Sequence, residues 1–224
     1  MVVERLSAEY PAQTALVHES PWQLLVATIL SAQTTDEQVN RVTPELFRRF
    51  PTPESLAGGD LAEVEAIIRP TGFFHSKARA IVEMSRDLVT RYAGEVPPRM
   101  EDLVTLRGVG RKTANVVLGA AFDLPGFAVD THVTRLTRRL GLTRSSDPAQ
   151  IEKDVTAMVP PEEWSGLSLR LILHGRRVCT ARNPQHQVCI LRDICPSAYG
   201  EPRALRRPRA KPRARSPKAP TAAQ

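Results

Sequence analysis

The chain has 224 residues, 42% of them apolar, enough for one large domain or two small ones around a real core. Its three cysteines cannot form an even disulfide framework, and no leader-like segment or apolar run near the roughly 20 residues of a spanning helix is visible. These features argue against a disulfide-stapled secreted domain or a membrane protein, and a soluble protein of a reducing compartment is expected.

The formal net charge of +7, from 31 basic and 24 acidic residues, is concentrated at one end. Arg203, Arg206, Arg207, Arg209, Lys211, Arg213, Arg215 and Lys218 oppose only Glu201 in 201–224, which leaves 23 residues of each sign in 1–200. That end also holds five prolines and almost nothing apolar. Residues 199–224 therefore read as a basic, disordered tail, suited to non-specific attraction of nucleic acid or simply to solubility.

In chain order, Ser20-Pro21 predicts an N-cap followed by proline in the first helical turn, and "WQLLVATILSAQ" supplies the apolar face behind it. Asp36 and Glu37 open a second helix toward Phe50, stopped by "PTPES". A longer amphipathic helix is predicted from about 76 to 92, with Ala80, Ile81, Met84, Leu88 and Val89 at helical spacing and Gly94 and Pro97-Pro98 beyond it. Asp147-Pro148 and Pro160-Pro161 punctuate two more helices, over about 148–158 and 162–176. Alternating period-2 runs are nearly absent, so the predicted fold class is all-α. No repeat of 20 to 50 residues is visible.

"LRGVGRKTANVVLGAA" (106–121) combines a tight turn, two glycines and a helix start. Gly108 and Gly110 permit close backbone approach, so the N–H groups that open the helix can face an anion such as phosphate. A nucleotide-binding P-loop is excluded, because Arg111 separates Gly110 from Lys112 and no apolar strand precedes the turn. A helix hairpin whose glycines serve only packing is the alternative. Lys112 lies in the first turn, where the helix dipole disfavours a cation, a setting that suits an amine nucleophile. Asp130, in "FAVDTHVTRLTRRLG" (127–141), stands before another helix and reads first as an N-cap. "CTARNPQHQVCILRDIC" (179–195) holds all three cysteines, which resemble a metal site short of one ligand, with His186 available to complete it.

"SAQTTD" (31–36), "TGFFHSKA" (71–78), "GVGRKTANVVLG" (108–119), "AVDTH" (128–132), "LILHGR" (171–176) and the cysteine stretch, in this order and spacing, closely resemble the endonuclease III family of DNA repair glycosylases. The resemblance covers about residues 1–198. It implies a two-lobed helix-hairpin-helix fold: a six-helix barrel over 22–125, and a second lobe of 1–21 with 126–198 ending at an iron–sulfur site. It implies a bifunctional glycosylase and abasic-site lyase of base excision repair, acting on oxidised or saturated pyrimidines in double-stranded DNA as a cytoplasmic monomer at the bacterial nucleoid.

Residue by residue, the resemblance makes Lys112 the nucleophile and Asp130 its catalytic partner. Gln33 matches the glutamine that fills the space left by a flipped base, and Phe73 takes a wedge position usually held by leucine, with Phe74 read as core. Gly108, Gly110 and Arg111 belong to the DNA-binding hairpin, Arg107 replaces the usual proline, and Arg182 could meet a phosphate. His132 and His174 match recurrent family residues and are read as core or supporting groups. The family's C-x6-C-x2-C-x5-C pattern becomes Cys179, His186, Cys189 and Cys195, with intact spacing and one changed ligand. A [4Fe–4S] cluster on this Cys3His set is expected, with zinc or no metal as alternatives. An adenine-mismatch glycosylase and a non-catalytic DNA-binding hairpin are the competing functions; Lys112 and a tail too short for an extra recognition domain weigh against the first, and the joint presence of Lys112 and Asp130 against the second.

Overall fold

The computed structural model describes residues 1–199. The basic tail expected over 199–224 lies, apart from its first residue, outside the described residues. Eleven α-helices run along the described chain: α1 Val2–Glu9, α2 Pro21–Leu30, α3 Asp36–Arg49, α4 Pro53–Ala57, α5 Leu61–Ile68, α6 Phe74–Tyr92, α7 Met100–Leu103, α8 Arg111–Phe122, α9 Thr131–Arg139, α10 Pro148–Thr156 and α11 Trp164–Arg177. Short 3₁₀ turns fill Arg69–Thr71, Pro161–Glu163 and the cysteine stretch, and no strand occurs among the described residues.

Capping sets most of the starts. Ser20 accepts from the Gln23 amide at 3.2 Å, with Pro21 at the first helical position. Asp147 accepts from the Gln150 amide at 2.9 Å ahead of Pro148. Each cap satisfies a donor that the first turn cannot satisfy itself, worth about 1 kcal/mol. The "PTPES" stretch ends α3 as expected and also starts α4, because Thr52 and Ser55 form a reciprocal capping box. α6 begins two residues earlier than its apolar spacing indicates, since Phe73 supplies a left-handed residue (φ 49°) from which the helix starts directly.

The buried apolar side chains form two clusters. One runs from Leu16 to Leu118 and includes Trp22, Leu25, Leu30, Leu46, Ile68, Ile81, Met84 and Leu88. The other joins Leu6 and Tyr10 to Phe127, Val133, Leu136, Ile151, Leu171 and Leu191. Fully burying each such side chain contributes about 1.5–3 kcal/mol, so each cluster can stabilise its own lobe. α1 reaches the second cluster from the start of the chain. Arg5 pairs with Asp193 and donates to the Ile190 carbonyl at 2.9 Å, and the Tyr10 hydroxyl meets His174 Nδ1 at 3.0 Å. Two ion pairs cross between the clusters: Arg111 on α8 with Glu152 on α10, and Arg176 on α11 with Asp36 on α3.

Candidate active site

A cleft of about 850 Å³ opens where the two lobes meet, lined by Ser31, Thr34 and Lys112 from one side and by Asp130, His132, Arg138 and Arg176 from the other. A smaller cavity of about 120 Å³ adjoins it and shares Ser31, Thr34, Lys112, Asp130 and Arg176. Lys112 and Asp130 thus line both spaces, one from each lobe.

The hairpin holds Lys112 in place through packing. Leu106 and Val109 are buried in the first cluster, and Gly108, at φ 77°, lies against α2 and α6 so closely that a Cβ would come 2.9 Å from Ala80 Cβ. Gly108 therefore needs glycine both for its backbone angle and for the contact. Gly110 has an ordinary extended backbone, and a Cβ there would meet nothing within 4 Å. The open space above Gly110 and the absence of a side-chain cap on α8 leave the first N–H groups of that helix facing outward, as an anion site requires.

Asp130 is the N-cap of α9, where its Oδ1 accepts from the Val133 amide at 2.8 Å. The extended segment leading to it is buried and held from two helices. Asn115 on α8 donates to the Phe127 carbonyl at 3.1 Å. Ser168 and Ser165 on α11 donate to the carbonyls of Ala128 at 2.7 Å and Gly126 at 3.0 Å. Gly126 passes so near α8 that a Cβ would fall 2.4 Å from the Asn115 carbonyl oxygen. Sequence reasoning did not find Asn115, Ser165 or Ser168. Their only signal is a polar residue on an otherwise apolar helix face.

Gln33 and Phe73, from two separate turns, share an unusual geometry. Both are exposed, and both have positive φ, 56° and 49°. Phe73 is 66% exposed, whereas Phe74 packs against the first cluster. The Phe73 turn is braced from behind by Lys77, a buried lysine whose Nζ donates to the Thr71 carbonyl at 2.8 Å. Burial pushes the Lys77 ammonium below the usual lysine range. Two hairpin arginines are already engaged. Arg111 makes two hydrogen bonds to Glu152, at 2.8 and 2.7 Å, and Arg107 lies 3.3 Å from Glu83. Arg182 is exposed and has no acidic partner among the described residues.

Cys179, His186, Cys189 and Cys195 line one small apolar cavity, together with His174. α9 shapes this cavity from one side. Arg135 donates to the Cys179 carbonyl at 3.1 Å, and Arg139 reaches Cys179 Sγ at 3.3 Å and the Thr180 carbonyl at 2.8 Å. His174 is 1% exposed, with Nε2 3.4 Å from Cys189 Sγ, and burial lowers its pKa. Burial also pushes the Cys189 thiol up, with the neighbouring Cys179 and Cys195 adding to the effect. Among the described residues, no three His, Cys, Asp or Glu side chains close on one point as a single metal ion needs. No helix among them is long and apolar enough to cross a membrane.

Comparison with known proteins adds the family. The model of the HhH-GPD superfamily base excision DNA repair proteins matches residues 26–161, and that of the iron–sulfur binding domain of endonuclease III matches 179–195. Endonuclease III of Synechocystis sp. is 54% identical over 191 residues, 84% of this chain and 87% of that protein. Endonuclease III of Bacillus subtilis is 43% identical over 195 residues, 86% of this chain and 89% of that protein. The structure of a trapped endonuclease III–DNA covalent intermediate matches at a TM-score of 0.84 and 42% identity, over 88% of this chain and 94% of that one. A thermostable thymine-DNA glycosylase, 22% identical at a TM-score of 0.77, shares the fold. The chain belongs to the endonuclease III family of helix-hairpin-helix base excision DNA repair proteins.

Proposed function

We propose that this chain is a bifunctional DNA glycosylase and abasic-site lyase that removes oxidised or saturated pyrimidines, with Lys112 as nucleophile and Asp130 as its partner. The observation that carries the assignment is that a lysine from one lobe and an aspartate from the other line the same cleft and the same adjoining cavity. Six-helix and iron–sulfur lobes over 22–125 and over 1–21 with 126–198 agree with the two apolar clusters, apart from Leu16, which packs in the first.

A base inside a duplex cannot be attacked in place, so the nucleotide is flipped into the cleft at a cost of a few kcal/mol. The Lys112 amine then bonds to the sugar C1′, and the bond to the base breaks with its electron pair leaving on the base. The amine proton passes toward Asp130, whose carboxylate also faces the positive charge that grows on the opening sugar. The resulting Schiff base acidifies the C2′ position, so loss of that proton expels the 3′ phosphate and cuts the strand.

Gln33 and Phe73 fit the two inserting roles. Their exposure and left-handed backbones fit the pattern of strained residues held outward by a rigid scaffold. An amide at Gln33 can hydrogen-bond the orphaned partner base, and the Phe73 ring can stack between bases. Gly108 and Gly110 would offer backbone N–H groups to a phosphate. Arg182 would add a further phosphate contact and Arg111 another once released by Glu152.

A [4Fe–4S] cluster fits the cysteine stretch, held by Cys179, Cys189, Cys195 and His186. Zinc on the same Cys3His set is the alternative. A cluster would crosslink 179–195 and add no step at Lys112. Incubation with a duplex containing thymine glycol tests the function. The expected products are free thymine glycol and a strand ending in a 3′ unsaturated aldehyde. Base release without strand cleavage would contradict the lyase half.

A further inference from the structure

We propose that Arg138 is a phosphate-binding residue for the DNA backbone, separate from the hairpin and the cysteine stretch. The inference rests on the reading of the cleft as a DNA site.

Arg138 Nε is, among the described residues, the one buried side-chain nitrogen or oxygen that has no hydrogen-bond partner. Buried donors are nearly always paired, and an unpaired one on a charged group is costly, so a guanidinium held without a protein partner at the wall of the cleft is one that can turn to an anion entering there. The guanidinium of Arg138 also has no carboxylate within ion-pair reach among the described residues.

Its position is set by the helix. Thr131, Thr134, Arg135 and Arg138 lie at i, i+3, i+4 and i+7 on one face of α9, and all four line the large cleft. Arg138 lies eight residues beyond Asp130, about 12 Å at 1.5 Å per residue. Each DNA strand advances about 3.4 Å per nucleotide, so a strand that ran along α9 from Asp130 would bring a phosphate within reach of Arg138 a few nucleotides from the target.

The charges around it favour an anion. The cleft lining carries Lys112, Arg135, Arg138, Arg139 and Arg176 against a single carboxylate, Asp130. Three of these cations have other work. Arg135 and Arg139 hold carbonyls of the cysteine stretch, and Arg176 pairs with Asp36 at 2.8 Å. Lys112 faces the sugar in the proposed reaction. Arg138 is the arginine left with its donors unassigned, and a planar fork of N–H groups matches two phosphate oxygens.

The test uses the full chain with its metal site loaded and a duplex bearing a tetrahydrofuran abasic analogue, titrated from about 50 to 200 mM salt. Neutralising one phosphate contributes about −0.9 to the slope of log K against log salt. Arg138→Gln is expected to make that slope shallower by about 0.9 and to weaken binding to damaged and undamaged duplex equally. Arg138→Lys should keep the slope and recover part of the affinity. At saturating concentrations of a duplex that bears a true abasic site in place of the tetrahydrofuran analogue, R138Q should form the borohydride-trapped complex as fast as the parent. An unchanged slope and affinity in R138Q, with a thermal midpoint no lower than the parent's, would overturn the proposal and leave the orphan as a purely structural cost. A slower trapping rate at saturation would also overturn it, by placing Arg138 in the reaction. If the parent itself forms no covalent complex, the lyase reading fails instead, while the slope still decides for or against the phosphate contact.

Discussion

Asn115 Nδ2 donates to the Phe127 carbonyl at 3.1 Å, with both residues buried. The bond ties the helix that begins beside Lys112 directly to the segment that ends at Asp130, and so links two groups from different lobes. Asn115→Ala strands a buried carbonyl and should cost about 1–3 kcal/mol of stability. Displacing reacting groups by about 1 Å can cost on the order of 100-fold in rate. The single-turnover rate at saturating DNA should therefore fall at least about ten-fold at a temperature where the variant is still folded. A rate equal to the parent's would show that the bond is structural only.

Gln33 separates stability from function. A non-glycine residue in the left-handed region costs roughly 1–2 kcal/mol, and Gln33 stands there at φ 56° with its side chain exposed. Gln33→Gly should raise the thermal midpoint by a few degrees while weakening binding to lesion-containing duplex. Opposite signs in the two measurements are the expected signature. A midpoint unchanged or lowered would show that the backbone angle carries no strain.

Phe73 supplies a complementary case. With 66% of its surface exposed, its removal should leave stability within about 0.5 kcal/mol. Loss of one base-stacking ring costs about 1–3 kcal/mol of binding, which is roughly ten- to hundred-fold in Kd. Phe73→Leu should recover much of that affinity if the position acts as a wedge. Equal affinities for Phe73→Ala and the parent would remove Phe73 from the interface.

In the proposed complex, Glu152 would compete with phosphate for Arg111. The pair bridges the lobes, but Arg111 is more than half exposed, so breaking it should change stability by less than about 1 kcal/mol. Glu152→Gln should tighten binding to any duplex and steepen the salt dependence by up to about 0.9. Titrations across salt concentration would reveal this, and unchanged affinity would confine Arg111 to its structural role.

Much of this arrangement is legible in the chain because it rests on local chemistry. Ser20-Pro21 and Asp147-Pro148 mark helix starts that the structure places at those residues. Asp130 reads as an N-cap and is one. Other features depend on partners far away in sequence. Nothing near Arg111 indicates that a glutamate 41 residues later holds it, and nothing near Arg107 points to Glu83. The "PTPES" segment was legible as a stop but not as a start, since Thr52 and Ser55 cap a helix only five residues long. Arg138 is one of several arginines in its stretch, and only the packing around it singles out its Nε.

His186, where the family pattern has a cysteine, gives a separate test of the proposed metal site. Iron and acid-labile sulfide measured on protein purified without oxygen should be present in equal amounts, with no stoichiometric zinc. Imidazole ligation raises cluster potential relative to thiolate, so His186→Cys should retain at least as much iron and shift the reduction potential downward. Stoichiometric zinc without sulfide would contradict the cluster assignment.

The covalent role proposed for Lys112 is open to direct observation. Borohydride reduction in the presence of a duplex containing an abasic site, followed by mass spectrometry of the digested complex, reads it directly. The predicted result is a DNA adduct on the peptide bearing Lys112, absent from Lys112→Ala. An adduct on another residue, or an undiminished yield with Lys112→Ala, would contradict it.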